Sequence, residues 1–248
     1  MRVPSSFETP SMLRRSNAFS IAEKGDWDGF RAFLEKQPLP ASRKHAGSLF
    51  GKLGILPYAI SKGAPDDVIN RILEIGPKSV RVEDSKHRLP LHIACMCKAA
   101  SSVVDILIEK YSRATRKRDK TGNVPLHYAV EAACDPDADV DDRLQVIASI
   151  LAIAPMSTRT MNDNEETPVD MANRLDTRLR TPVYSLVSSV SEALMDGSLM
   201  NEFSEEFAGG PSACFSVDML DIEENDEEKP SIPALRTSSM LKYVFGMK

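Results

Sequence analysis

The chain has 248 residues, 42% of them apolar and 27% charged, with a formal net charge of −5. No apolar run approaches the roughly 20 residues that a membrane-spanning helix needs; residues 1–16 set Arg2, Arg14 and Arg15 beside Glu8 with no apolar core, which argues against a secretory signal. Cys95, Cys97, Cys134 and Cys214 lack the spacing of a disulfide framework, so a reduced intracellular protein, cytoplasmic or nuclear, is expected.

Residues 1–15 read as a flexible arm, with Pro4, Pro10 and little to bury. A helix pair is expected from about Ser16 to Lys36, carrying Phe19, Trp27, Phe30, Phe33 and Leu34 and ending before Pro38. The stretch Pro38–Lys52, with Arg43, Lys44 and His45, reads as a long loop or a displaced helix. A second pair spans roughly Pro57–Lys62 and Pro65–Ile75, where Gly76-Pro77 gives a stop signal.

The next stretch contains one phrase twice. Leu89-Pro90-Leu91-His92-Ile93-Ala94 recurs 35 residues later as Val124-Pro125-Leu126-His127-Tyr128-Ala129, and an aspartate stands six residues before each proline, at Asp84 and Asp119. Between the copies, Val103, Val104, Ile106, Leu107 and Ile108 recur at helical spacing, so the unit reads as turn, short helix, longer helix, loop. Weaker copies start at Leu56-Pro57 and at Thr167-Pro168. The latter lies 43 residues after Pro125, and the extra length matches the acidic stretch Asp135–Asp142, read as a solvated insertion. A last helix is expected from about Thr181-Pro182 to Met195, with Val183, Leu186, Val187, Val190 and Leu194 on one face and serines on the other, as a closing cap requires.

On these residues the chain resembles the ankyrin-repeat proteins, whose unit of about 33 residues opens on Thr-Pro-Leu-His-x-Ala. The resemblance implies an all-α fold: a solenoid of about five helix-turn-helix units over residues 16–195; composition adds an acidic, largely disordered tail, 196–248. It also implies that His92 and His127 are structural, tying a helix start to a neighbouring loop. Two departures bear on stability. The threonine before proline survives only as Thr167, with Leu56, Leu89 and Val124 elsewhere. The turn glycine persists as Gly54 and Gly122 but becomes His87 and Glu165, which are mildly strained if the backbone stays left-handed.

Charge is unevenly spread. From Lys78 to Val124 there are eleven Lys and Arg against five acids, most of the excess lying in the inter-repeat loops Arg81–Arg88 and Arg113–Lys120. In the resembling family such loops project as fingers beside a concave groove, with Thr158–Glu165 as the next finger. An acidic protein partner is therefore expected, met by Arg81, Lys86, Arg88, Arg116, Lys117, Arg118 and Lys120, with Met96, Lys98, Tyr128 and Glu131 facing the groove. The alternative is a nucleic-acid-associated or nuclear regulatory protein using the same strip. No aromatics interleave Arg116-Lys117-Arg118 and the chain is acidic overall, so nucleic acid is disfavoured.

The tail holds eleven acids and no Lys or Arg between Asp196 and Glu228, then turns basic and apolar from Ser231 to Lys248. Its end reads as a docking motif or as a plug on the repeats, and residues 218–228 as an intramolecular contact for the basic fingers. No catalytic, cofactor or metal site is expected. There is no phosphate-binding glycine loop or nucleophile elbow, Cys95 and Cys97 point to different helix faces, and Asp135–Asp142 lacks the glycine and glutamate of a calcium loop. The resulting expectation is a non-enzymatic binding module or adaptor.

Overall fold

The computed structural model describes residues 17–36, 54–133, 135, 139–174 and 177–195. The expected arm 1–15, the connector 38–52 and the tail 196–248 lie outside these residues. Among the described residues are ten α-helices and no strand. They are α1 (Asn17–Glu23), α2 (Trp27–Glu35), α3 (Ile55–Ser61), α4 (Asp66–Ile75), α5 (Pro90–Met96), α6 (Ser101–Lys110), α7 (Pro125–Ala132), α8 (Val140–Ile153), α9 (Pro168–Asn173) and α10 (Thr177–Met195). Short 3₁₀ helices, Pro77–Arg81, Ser112–Arg116 and Pro155–Arg159, follow α4, α6 and α8.

Odd-numbered helices pack on one another in sequence, and so do even-numbered ones, giving an inner and an outer row in five stacked pairs. Apolar side chains from Ala18 to Ala193 form one continuous core between the rows. No short helix could bury its apolar stripe alone, and stacking supplies the missing surface to each pair. Cys95 is wholly inside this core, where burial pushes its thiol up to about 12, while Cys97 is half-buried and packs against its edge.

Helix starts follow local chemistry. Pro90 and Pro125 open α5 and α7, where a missing N–H costs nothing. Leu89 and Val124 cannot cap them, and the third helical residue does part of that work instead. His92 Nδ1 accepts the Leu89 N–H at 3.1 Å, and His127 Nδ1 accepts that of Val124 at 3.1 Å. At α9 Thr167 supplies the hydroxyl for the Asp170 N–H at 3.2 Å, and the Asp170 carboxylate takes the Thr167 N–H at 2.9 Å.

Two boundaries differ from the expected ones. The acidic stretch is not a loop as far as Asp142, because α8 begins at Val140. Asp139 accepts the N–H of Asp141 at 3.1 Å, and carboxylates suit a first turn whose N–H groups have no intrahelical partner. Asp142 then reaches back to cap α6, accepting the Ser101 N–H at 3.0 Å. Its neighbour Arg143, buried and paired with Asp142, donates to the Ala99 carbonyl at 2.8 Å. One turn of α8 thus serves the end of α5 and the start of α6, in place of the solvated insertion expected there. The second difference is that α10 begins at Thr177 and carries Pro182 inside the helix, not at its first position.

Candidate partner-binding surface

Three loops on the inner side fold into the same turn. In each, an Asp or Asn six residues before the helix proline anchors the backbone. Asp84 Oδ1 accepts the N–H groups of Lys86 (2.8 Å) and Arg88 (2.9 Å). Asp119 Oδ1 accepts those of Thr121 (2.8 Å) and Asn123 (2.9 Å). Asn162 Oδ1 accepts those of Asn164 and Glu166, both at 3.0 Å. Backbone bonds close each turn, with Asp84 N–H donating to the Arg88 carbonyl, Asp119 to Asn123 and Asn162 to Glu166. The fourth residue is left-handed in all three: His87 at φ 57°, Gly122 at 73° and Glu165 at 62°. His87 and Glu165 therefore keep the glycine conformation without glycine, which is the condition under which the sequence expected them to be mildly strained.

Single backbone bonds join the fingers into a row. The Lys120 N–H donates to the Lys86 carbonyl, and the Asp163 N–H to the Thr121 carbonyl, both at 3.0 Å. The histidines tie each helix to the next finger. His92 Nε2 lies 3.0 Å from the Lys117 carbonyl, and His127 Nε2 lies 3.2 Å from that of Glu166. Because Nδ1 already faces a backbone donor, the ring proton must sit on Nε2 and the ring must be neutral. Burial lowers both pKa values in agreement with that arrangement.

The cations expected to form one strip divide by what they touch. Arg88 is 3% exposed, and its Nη2 pairs with Asp84 at 2.6 Å while Nη1 lies 3.1 Å from the Met96 sulfur. It is an internal residue of the first finger. Arg118 donates Nε–H to the Gly122 carbonyl at 3.2 Å and Nη2–H to the Met161 carbonyl, so it joins the second finger to the third. Arg81 and Arg116 end the 3₁₀ helices. Arg81 lies over the Tyr111 ring at 5.0 Å, and Arg116 donates to the Ile153 carbonyl at 3.1 Å, each reaching the end of the next outer helix. Lys98, left-handed at φ 58° after α5, pairs with Asp135. Lys86, Lys117 and Lys120 have exposed side chains on the finger row.

Of the residues expected to face the groove, Glu131 is exposed and Met96 half-buried. Tyr128 is half-buried, and its hydroxyl donates to Asp119 Oδ2 at 2.5 Å. Burial and that carboxylate push the Tyr128 hydroxyl up to about 12. Burial pushes the Asp119 carboxyl the opposite way from its net shift: the donors on Tyr128, Thr121 and Asn123 outweigh it and hold the group below the usual carboxylate range. Asp119 is thus an anion, 8% exposed, held by neutral donors. Asn162 also stands six residues before its proline, and the signal that finds it is any side-chain acceptor at that place, not aspartate alone. The arginine recurring at 81, 116 and 159, always ending a 3₁₀ helix, was likewise legible and unread.

The family model described as ankyrin repeats (3 copies) matches residues 56–139, from α3 to the residue before α8 and including the first two fingers. Residues 56–139 are thus ankyrin repeats, and the pairs α1–α2 and α9–α10 continue the same stack of helix pairs on either side of the matched stretch. A search of curated proteins returned no match. Ankyrin repeats generally mediate protein–protein interaction, typically without catalysis. No helix among the described residues is long and apolar enough to cross a membrane.

Proposed function

We propose that this chain is a non-enzymatic adaptor of the cytoplasm or nucleus that receives an acidic protein partner on its finger row. Lys86 and Lys120 are the primary contacts, Lys117 is a secondary one, and Met96, Tyr128 and Glu131 border the groove. The observation that carries the reading is the backbone bond between Lys120 and Lys86, which sets two exposed lysines side by side on adjacent fingers. Arg88 and Arg118 act one step behind, holding the turns that present those lysines, and Arg81, Arg116 and Lys98 act at the joints of the stack. Basic side chains at a rim chiefly set encounter rate and register.

The arginines committed to protein carbonyls and carboxylates weigh against nucleic acid, which is recognised by arginines free to meet phosphates. Residues 218–228 remain a candidate intramolecular competitor on grounds of sign alone. The reading is tested by comparing proteins retained from extract by the full chain and by Lys86→Glu/Lys120→Glu. A partner lost on reversal supports it, and unchanged retention refutes it. Deleting residues 213–248 should raise partner affinity at low salt if the tail competes, and leave it unchanged if it does not.

A further inference from the structure

The row of fingers changes sign along its length. The first two present Lys86 and Lys120, whereas the third presents Asp163 and Glu165, all four side chains being exposed. Of the acids elsewhere in the turns, Asp84 is neutralised by Arg88, Asp119 is 8% exposed and so lies beneath the second tip, Glu83 faces His87 Nδ1 at 2.7 Å, and Glu166 of the third finger is paired with Arg174 at 2.8 Å. The backbone bonds from Lys120 to Lys86 and from Asp163 to Thr121 fix the order of the three tips. Two chain segments per finger, about 4.8 Å apart, put neighbouring fingers about 10 Å apart, or about three residues of extended chain at roughly 3.3 Å each.

We infer that the fingers take a partner segment of mixed charge in one polarity, with carboxylates at Lys86 and Lys120 and a cation about three residues away at Asp163 and Glu165. This rests on the proposed function, since it assumes that the finger row is the contact surface. It goes further in naming the partner's charge pattern. A uniformly acidic segment long enough to cross three fingers would meet repulsion at the third, and like charges in register are a strong means of rejecting wrong partners.

The test uses the full chain and three synthetic peptides of about ten residues, long enough at roughly 3.3 Å per residue to span the row. One has an acidic block, a Gly-Ser-Gly spacer and a basic block; the second has two acidic blocks and the third two basic blocks. At low salt the wild type should bind the mixed peptide about tenfold more tightly than either uniform one. Lys86→Glu/Lys120→Glu should turn the preference to the basic peptide, and Asp163→Asn/Glu165→Lys to the acidic one. The four substitutions together invert the row, and should restore the mixed peptide because it can bind with its direction reversed. Restoration excludes simple damage to the fold as the cause of either half-reversal. If the wild type binds the acidic peptide as tightly as the mixed one, or the four-site variant does not regain the mixed peptide, the polarity is wrong while acid recognition stands. If Lys86→Glu/Lys120→Glu leaves all three affinities unchanged, the finger row is not the surface and both readings fall.

Discussion

The first and second fingers are the same turn built around the same buried carboxylate, yet they balance its charge differently. In the first, Asp84 meets the guanidinium of Arg88 four residues on. In the second, Asn123 occupies the place of that arginine, and Asp119 is held by the Tyr128 hydroxyl, Thr121 and two backbone N–H groups. The third finger avoids the problem, because Asn162 supplies the same acceptor with no charge to bury. What the turn requires is therefore an oxygen aimed at two backbone donors; the charge it brings is a secondary cost that each finger meets from whatever stands nearby. An ion pair and a neutral hydrogen-bond set should respond differently when broken.

The largest effect is expected from Arg88→Ala, which strands the Asp84 carboxylate in a mostly buried site. Breaking such a pair costs about 3 kcal/mol, read as a fall in melting temperature of about 6–12 °C. Adding Asp84→Asn, which copies the third finger, should recover most of that loss. A double variant no more stable than Arg88→Ala would mean that the charge is not what the arginine answers.

Gly122→Ala comes next, at about 2 kcal/mol. The residue sits at φ 73°, and an added Cβ would stand 2.6 Å from Asp163 Oδ1 and 2.9 Å from the Asp163 backbone nitrogen. The converse change, Glu165→Gly, relieves a left-handed residue and should gain about 0.5 kcal/mol after the larger entropy of the unfolded chain is counted. Denaturant unfolding would measure both, and equal and opposite values would show that crowding at Gly122 adds nothing to backbone strain.

Tyr128→Phe removes one donor to an ionised carboxylate and should cost about 1.5 kcal/mol. It should also raise the Asp119 pKa, which NMR titration of the carboxyl carbon reads directly; an unmoved pKa would mean that Thr121 and the backbone suffice.

The smallest predicted effect is on pH. Folding lowers the pKa of His92 and His127 below the ordinary 6.5, so the unfolded chain binds more protons in the window beneath that value. Their contribution is fully present above about 6.5 and is lost as pH falls from there toward the folded values. His127→Gln should flatten the slope of stability against pH in that window, and an unchanged slope would show that the ring is not held neutral.

Much of the stack was legible. A phrase recurring at 35 residues, with Pro90 and Pro125 at helix starts, fixes the inner helices because proline there has few other places to go. The alignment of His87 and Glu165 with Gly54 and Gly122 marked the two places where a left-handed turn would be strained, and coordinates alone show that both are left-handed. The finger chemistry was read less well, because composition counts Arg88, Arg116 and Arg118 as surface charge whereas only coordinates show their guanidinium groups committed to Asp84 and to the Ile153 and Met161 carbonyls. Asp142 was hidden for a similar reason: a run of aspartates looks solvated until one of them is found accepting a Ser101 N–H from another repeat.

The division of the basic residues into those that hold the fingers and those that face outward is the centre of this account. Partner retention and melting temperature, measured together on the wild type, Arg118→Ala and Lys86→Glu/Lys120→Glu, test it most directly. The arginine variant should lose melting temperature, and the lysine variant should keep the wild-type value and lose the partner. A lysine variant that retains the partner at the wild-type level would contradict it.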